Sequence, residues 1–316
     1  MATEEPAYDP TRTASWLVCT ACGTQFPTAS RDEVTTCFIC DDPRQFTPPG
    51  GQAFTTLDEL RASHENTWTP IPCDDRLMSI VTEPKVAIGQ RAILIRTPKG
   101  NVLWDCITLL DEATIEEIQG MGGLKAIVIS HPHYYTTHVE WARAFACPVY
   151  LAAEDRQWLT QSSSHQVFIT ETELDLQIDG TSSGVKVLKL GGHFPGSLVT
   201  LYDGRLLIAD TLVTTPAGLG SWDTDAAGNT RTRPQGMNSY AFLWSIPNMI
   251  PLAPDELERM WNILKKYEFR SSHGAFLNVD IVKSEAEMKQ RLLESMQIQI
   301  KYSGYGNHTM LKETTG

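Results

Sequence analysis

The chain has no apolar run approaching the ~20 residues of a membrane-spanning helix, so a helical membrane protein is not expected. It has no basic-then-apolar leader either. It opens Met1-Ala2-Thr3-Glu4-Glu5, which is acidic and polar. Positive charge is scarce: 26 Lys and Arg face 38 Asp and Glu, for a formal net charge of -12. A nucleic-acid backbone needs a basic face, so nucleic acid is not the expected partner. Internal repeats are absent by eye. Hydrophobic residues at 41% and charged residues at 20% suit an ordinary globular protein with a sizeable core. Cysteine is present in odd number, seven, with four paired as CxxC. That usage fits a metal site in a reducing compartment better than a secreted disulfide scaffold, and the expectation is a cytoplasmic protein.

The order of signals along the chain gives the expected organisation. Residues 1–13 read as a flexible tail and 14–46 as a four-cysteine module. Thr47-Pro48-Pro49-Gly50-Gly51 opens a linker over 47–74, and one large domain spans 75–316. Val86 to Ile95 and Asn101 to Cys106 flank Pro98-Lys99-Gly100 as a hairpin. Ala126 to Ile129 is a short, wholly apolar run, hence a buried strand. Helices are expected over Asp111 to Gln119, Thr137 to Ala146, Glu154 to Gln161, Asp255 to Tyr267 and Asp280 to Ile300. Thr137 and Glu140 have capping-box spacing. Pro148 to Leu151, Val185 to Leu190, Ser197 to Tyr202 and Arg205 to Ile208 read as strands, the last two joined by Asp203-Gly204. Pro216 to Gly236 reads as a long loop. Hairpins mixed with strand-helix-strand units imply an α+β fold.

Two constellations carry chemistry. Cys19-x2-Cys22-x14-Cys37-x2-Cys40 can place four thiolates around one zinc, in knuckles similar to those of zinc ribbons and rubredoxins. Iron is the alternative. A four-sulfur site is closed, so its role is structural. Of the other cysteines, Cys106 and Cys147 lie in apolar strand contexts and read as core, while Cys73 has no assigned role.

The second constellation starts at Ser130-His131-Pro132-His133-Tyr134-Tyr135-Thr136-Thr137-His138, at the end of a buried strand. Histidines at i and i+2 in extended backbone point the same way and can share a metal. His193 follows a strand in Gly191-Gly192-His193-Phe194-Pro195-Gly196-Ser197. Asp210 ends Leu206-Leu207-Ile208-Ala209, and His273 lies in Ser271-Ser272-His273-Gly274.

In these motifs the chain resembles the metallo-β-lactamase superfamily over roughly residues 75–290. Leu103-Trp104-Asp105 is similar to the aspartate that ends the family's first hairpin. His193 to Ser197 is similar to its Gly-His-x-Pro-Gly-Ser segment, and Asp210 and His273 to its later ligands. The resemblance implies a four-layer αβ/βα sandwich with metal at one edge. It implies His131, His133 and His193 as one metal site, and Asp210 and His273 as what is left of a second. Where the family has HxHxDH, this chain has Tyr135 and Thr136 at the last two positions. His138 is the residue that would restore the missing ligand.

The expected activity is that of a metal-dependent, lactonase-like hydrolase cleaving a small ester, lactone, lactam, amide or thioester. It would use one or two zinc ions in the histidine site and one in the four-cysteine site, with iron possible in either. Asp210 would bridge metals or orient a water, and Tyr135 could donate a hydrogen bond to a developing oxyanion. An equal reading of Tyr135 is an aromatic filling the vacated space. Tyr134, Tyr135, Phe194, Trp222, Tyr240 and Trp244 suggest an apolar or aromatic small-molecule substrate. Two alternatives stay open. One is a mononuclear iron oxygenase acting on a sulfur substrate through His131, His193 and Asp210. The other is an inactive scaffold docking through its cysteine module.

Overall fold

The computed structural model describes residues 8–72 and 74–315. The start of the expected tail and Cys73 lie outside the described residues. The chain divides into two compact units, Met1–Val185 and Lys186–Gly316.

In the first unit, strand β1 (Leu17–Cys19) pairs antiparallel with β2 (Phe54–Thr56). Helix α1 (Leu57–Arg61) starts on a full capping box in which Thr56 and Glu59 bond each other's backbone. An antiparallel meander follows: β3 (Glu65–Ile71), β4 (Asp74–Glu83), β5 (Ala92–Thr97) and β6 (Gly100–Trp104). Strands β7 (Leu124–Val128), β8 (Val149–Ala152) and β9 (Gln166–Ile169) extend the sheet in parallel. The seven strands lie in chain order.

Parallel neighbours need crossovers. Helix α2 (Glu112–Gly120), capped by Asp111 on the Thr114 amide, connects β6 to β7. Helix α3 (His138–Phe145) connects β7 to β8. The crossover to β9 is not the α-helix expected over Glu154 to Gln161 but a 3₁₀ helix, Ala153–Trp158. Just beyond it, Thr160 Oγ1 donates to the Gln25 carbonyl at 2.6 Å, which ties this stretch of chain to Gln25. The stretch expected as a linker, 47–74, holds β2, α1 and β3. Strand β3 is the polar edge of the sheet and contains Pro70, features that suit an edge and hide a strand from pattern reading.

The unit boundary falls inside β11 (Thr181–Lys189), which follows β10 (Glu173–Ile178). In the second unit β12 (Leu198–Tyr202) and β13 (Arg205–Leu207) form the expected hairpin. Asp203 and Gly204 both have positive φ, 42° and 74°, as the primed turn between twisted strands requires. After β13 come β14 (Val213–Thr214), helix α4 (Pro216–Leu219) and the predicted long loop. Strands β15 (Tyr240–Ala241), β16 (Leu243–Ser245) and β17 (Ile250–Pro251) are short pieces. Helix α5 (Pro254–Leu264) precedes β18 (Ser271–His273) and β19 (Asp280–Val282), and helix α6 (Glu285–Tyr302) closes the unit. The second sheet runs β10-β11-β12-β13-β18-β19, with β13 and β18 parallel.

The expected last helix starts later than Asp280. Residues 280–282 pair with β18 instead, and Ser284 caps α6 by accepting from the Glu287 amide. Helices α5 and α6 bury Leu257, Met260, Trp261, Met288, Leu292 and Met296 in one core with Val199, Leu206 and Ile208. Each such side chain contributes roughly 1.5–3 kcal/mol. No helix among the described residues is long and apolar enough to cross a membrane.

Candidate metal centres

The four cysteines converge in the first unit. Their sulfurs lie within 4.8 Å of one another, with Cys19 Sγ to Cys40 Sγ at 3.6 Å and Cys22 Sγ to Cys37 Sγ at 3.7 Å. These separations are far too long for disulfides, whose S–S bond is about 2 Å. They match the edge of a tetrahedron of sulfurs about 2.3 Å from a central zinc, which is about 3.8 Å. The first knuckle folds back through Gly23 N–H to the Cys19 carbonyl at 2.8 Å. Gly23 is required there, because its φ is +80° and a Cβ would lie 1.9 Å from Thr108 Oγ1. The second knuckle, which lacks a glycine, is braced by Gln52. Its Oε1 accepts from Cys37 N–H at 2.6 Å, and its Nε2 donates to the Cys37 carbonyl and to Asp41.

Hydrogen bonds from the other three thiols hold Cys19 far below the ordinary thiol range. The same bonds, with burial, push Cys22 and Cys40 up. Four thiolates this close repel one another unless a cation lies among them, so the set fits a metal. Leu17, Ala21, Phe26 and Ile39 form the small core around it.

The histidine pair of the first unit lies just past β7. Extended backbone is expected at both residues. Only His131 is extended, at φ -168°, while Pro132–Tyr134 form a 3₁₀ turn. The turn brings the rings together edge to face, centroids 5.1 Å apart. Both histidines are buried. Ser130 Oγ lies 2.9 Å from His131 Nδ1. A proton on Nδ1 donated to that oxygen leaves the lone pair on Nε2, the arrangement a metal ligand needs. Asp105, fully buried and at φ 59°, accepts from the Ser130 amide at 2.7 Å and so anchors the start of the turn.

In the second unit, His193 sits in the tight turn between β11 and β12. Gly191 and Gly192 have φ of 63° and 90°. The turn closes through Leu190 and Gly191 amides on the Ser197 carbonyl and through Phe194 N–H on Ser197 Oγ. His193 is fully buried, and its Nε2 lies 3.8 Å from Asp210 Oδ2. Asp210 follows β13, and Thr211 beside it accepts from the His193 amide at 3.3 Å.

Each unit therefore offers two donors of ligating type, His131 and His133 in the first and His193 and Asp210 in the second. Imidazole and carboxylate donors suit zinc or iron. Two other expected ligands have partners inside their own unit. His273 is held within its own unit, Nε2 at 2.9 Å from Ser271 Oγ and Nδ1 at 3.3 Å from Asp280 Oδ1. His138 has its Nδ1 2.8 Å from the Tyr135 carbonyl and its Nε2 2.9 Å from Gln166 Nε2. The carbonyl accepts and the amide donates, so both nitrogens are spent on protein. Burial lowers its pKa to about 4, which keeps it neutral.

Glu140 does not cap α3. Thr137 makes no cap bond and donates to the Thr108 carbonyl at 2.8 Å. Glu140 is buried, accepts from Thr13 Oγ1 at 2.7 Å, and has its pKa raised by desolvation. Tyr135 is also buried. Desolvation raises its phenol well above the ordinary range, with the Asp155 charge adding to it, so it is a neutral donor. Tyr134, Phe194 and Tyr240 are core residues; Tyr134 packs on His131 at 4.4 Å, and Tyr240 OH bonds Ser272. Trp222 donates to the Ala217 carbonyl.

A third donor group, Asp255, Glu258 and His308, lies on the surface of the second unit. His308 Nδ1 accepts from the Met310 amide there, which puts the ring proton on Nε2 against Asp255. Asp105 stands in an expected motif, whereas Ser130, Gln52 and Gln166 are positioning residues that no motif marks. For Ser130, adjacency to His131 was the available signal.

Fold and side chains together define a mixed α+β protein with an N-terminal four-cysteine module and, in each unit, buried histidines able to ligate metal. The chain belongs to the family of the uncharacterised protein YmaE of Bacillus subtilis (strain 168). It is 36% identical to YmaE over 278 residues, which cover 86% of this chain and 92% of that protein. No protein-family model matches the chain. Solved structures to which it is similar include the DIM-1 metallo-β-lactamase, at 14% identity over 72% of this chain and 97% of that one, TM-score 0.49. The FIM-1 metallo-β-lactamase from Pseudomonas aeruginosa in its mono-zinc form gives 13% identity, 76% and 96% coverage, and TM-score 0.47. A mutant flavo-diiron protein from Thermotoga maritima gives 12%, 74% and 62%, and 0.45.

Proposed function

We propose that this chain is a metal-dependent hydrolase acting on a small ester, lactone, lactam, amide or thioester, and that His131, His133, His193 and Asp210 hold its catalytic metal. One observation carries the reading: buried imidazoles held on turns at strand ends, His131 beside His133 in one unit and His193 beside the Asp210 carboxylate in the other. A divalent ion bound there supplies Lewis acidity and a water of lowered pKa. The chain's own residues do the rest. Ser130 and Asp105 fix the His131 ring, and the Gly191-Gly192 turn fixes His193. Asp210, whose side chain is partly exposed beside His193, would complete the ligand set or orient a water at the ion. Tyr135, neutral and buried, either donates a hydrogen bond toward the reacting centre or packs the turn. The four-cysteine site is a separate zinc or iron site that stabilises its module.

The test is metal content per chain together with turnover of an ester and lactone panel. Two classes of metal and hydrolysis are the expected result. His131→Ala and His193→Ala should each abolish turnover and leave the cysteine-bound metal in place. A folded His131→Ala protein with full turnover refutes the mechanism. Iron with substrate-linked oxygen consumption would instead identify an oxygenase, and metal at the cysteines alone would identify a non-catalytic protein.

A further inference from the structure

The first cysteine knuckle runs directly into the turn that carries the histidine pair. Cys19 N–H donates to the Thr24 carbonyl at 2.9 Å, and Cys22 Sγ bonds Thr24 Oγ1 at 3.3 Å, so residues 19–24 form one closed loop on the sulfurs. The next residue, Gln25, is fully buried, and its backbone N–H donates to the Thr136 carbonyl at 3.1 Å. Thr136 has φ +40°, a left-handed conformation that a β-branched residue adopts only under constraint. It is the residue at which the chain leaves the His131-to-Tyr135 turn, three positions after His133. Its side chain adds a bond from Oγ1 to the Ile107 carbonyl at 3.3 Å. Gln25 is itself clamped: its carbonyl accepts from Thr160, and its side chain donates to the Thr13 carbonyl at 3.3 Å.

We infer that Gln25 is a positioning residue for the histidine pair, and that metal at the four cysteines acts through its backbone N–H to hold Thr136 left-handed and the two imidazoles in ligating geometry. This rests on the proposal that His131 and His133 bind metal. The cysteine module is then more than a local staple, because filling it raises the affinity of the histidine turn for a second ion. Without the Gln25 bond, Thr136 relaxes toward an ordinary φ and turns the His133 backbone away. Left-handed strain at one residue is of the order that changes affinity about tenfold.

Cobalt separates the two sites, since thiolate coordination gives an intense near-ultraviolet band and imidazole coordination only weak visible bands. Gln25→Pro removes the N–H alone among backbone donors. It should weaken cobalt binding at the histidines about tenfold and leave the thiolate band unchanged. Gln25→Ala keeps the N–H and should bind like wild type. Adding Thr136→Gly to Gln25→Pro should restore affinity to within roughly threefold, because glycine adopts positive φ freely; a role in folding alone would not be rescued this way. Should Gln25→Pro fail to fold, hydrogen exchange on unmodified protein decides. Chelating the cysteine metal should accelerate exchange at Gln25 and at residues 134–138 together. The inference is overturned by wild-type affinity in Gln25→Pro, by equal loss in Gln25→Ala, or by accelerated exchange confined to residues 19–24. A wild type that takes up cobalt only at the cysteines overturns the proposed function as well, whereas two cobalt sites with no response to Gln25→Pro overturn this inference alone.

Discussion

His138 gives a sharp pH prediction. It is buried, its Nδ1–H is directed to the Tyr135 carbonyl, and its Nε2 accepts from Gln166. Its folded pKa is about 4, against 6.5 for an unburied histidine. As pH falls below 6.5 the unfolded chain takes up this proton before the folded chain does, so folding stability drops. The loss starts near pH 6.5 and is complete near pH 4, below which both states are protonated. At pH 5 the unfolded residue is almost wholly charged and the folded one almost wholly neutral, which amounts to about 2 kcal/mol. At pH 7 the same difference is only about 0.2 kcal/mol. His138→Gln removes the titration while keeping an amide that can reach Gln166. Urea unfolding of both proteins at pH 7 and pH 5 should show wild type losing about 2 kcal/mol more than the variant. Fixed costs of the substitution cancel in that comparison. Parallel pH profiles would refute the assignment of His138 as a neutral structural histidine. So would loss of a bound metal in His138→Gln, which would make the residue the ligand its position in the sequence suggests.

Gly192→Ala should destabilise the fold by about 2 kcal/mol or more in urea unfolding and weaken metal at the histidines. Its φ is +90°, and a Cβ would meet Thr211 Oγ1 at 2.6 Å and Leu252 Cδ1 at 2.7 Å. Cys37→Ser removes one of four sulfurs and should release that metal and make residues 14–52 sensitive to limited proteolysis, since the module's small core depends on the tetrahedral site. Cys147 is pushed up to about 12 by burial and Cys106 higher still, for the same reason. Both thiols should resist alkylation in the native protein and react after unfolding, read by intact mass.

The parts of the fold legible in the sequence are those with a local rule. Asp203-Gly204 specified a tight turn and Pro98-Lys99-Gly100 a hairpin, and each stands where its chemistry placed it; the helix expected from Asp111 begins one residue later, with Asp111 as its cap. Strand β3 was hidden because an edge strand is polar by need and carries Pro70, which mimics a linker. Strand β19 was hidden because Asp280 to Val282 leads into a strongly helical sequence without a visible break other than Ser284. The supposed capping box at Thr137 failed for a tertiary reason. The Ile107 and Thr108 carbonyls take the threonine hydroxyl, and Thr13, more than a hundred residues earlier, takes the glutamate.

The site shows the same division between local and distant causes. Residue type and spacing named the four cysteines that the structure brings together, because ligand chemistry constrains the identity of the donor itself. What sequence could not report is which partners each donor meets in the packed protein. His138 and His273 have the right type and stand near the right elements, yet Gln166 and Tyr135 occupy one, and Ser271 and Asp280 face the other. The partners of His138 include a glutamine 28 positions away, on strand β9 rather than on its own helix. No spacing rule reports such a partner, because hydrogen-bond satisfaction is a property of the packed interior rather than of the chain. Metal quantification on His138→Gln should therefore match wild type, because both ring nitrogens of His138 already bond protein.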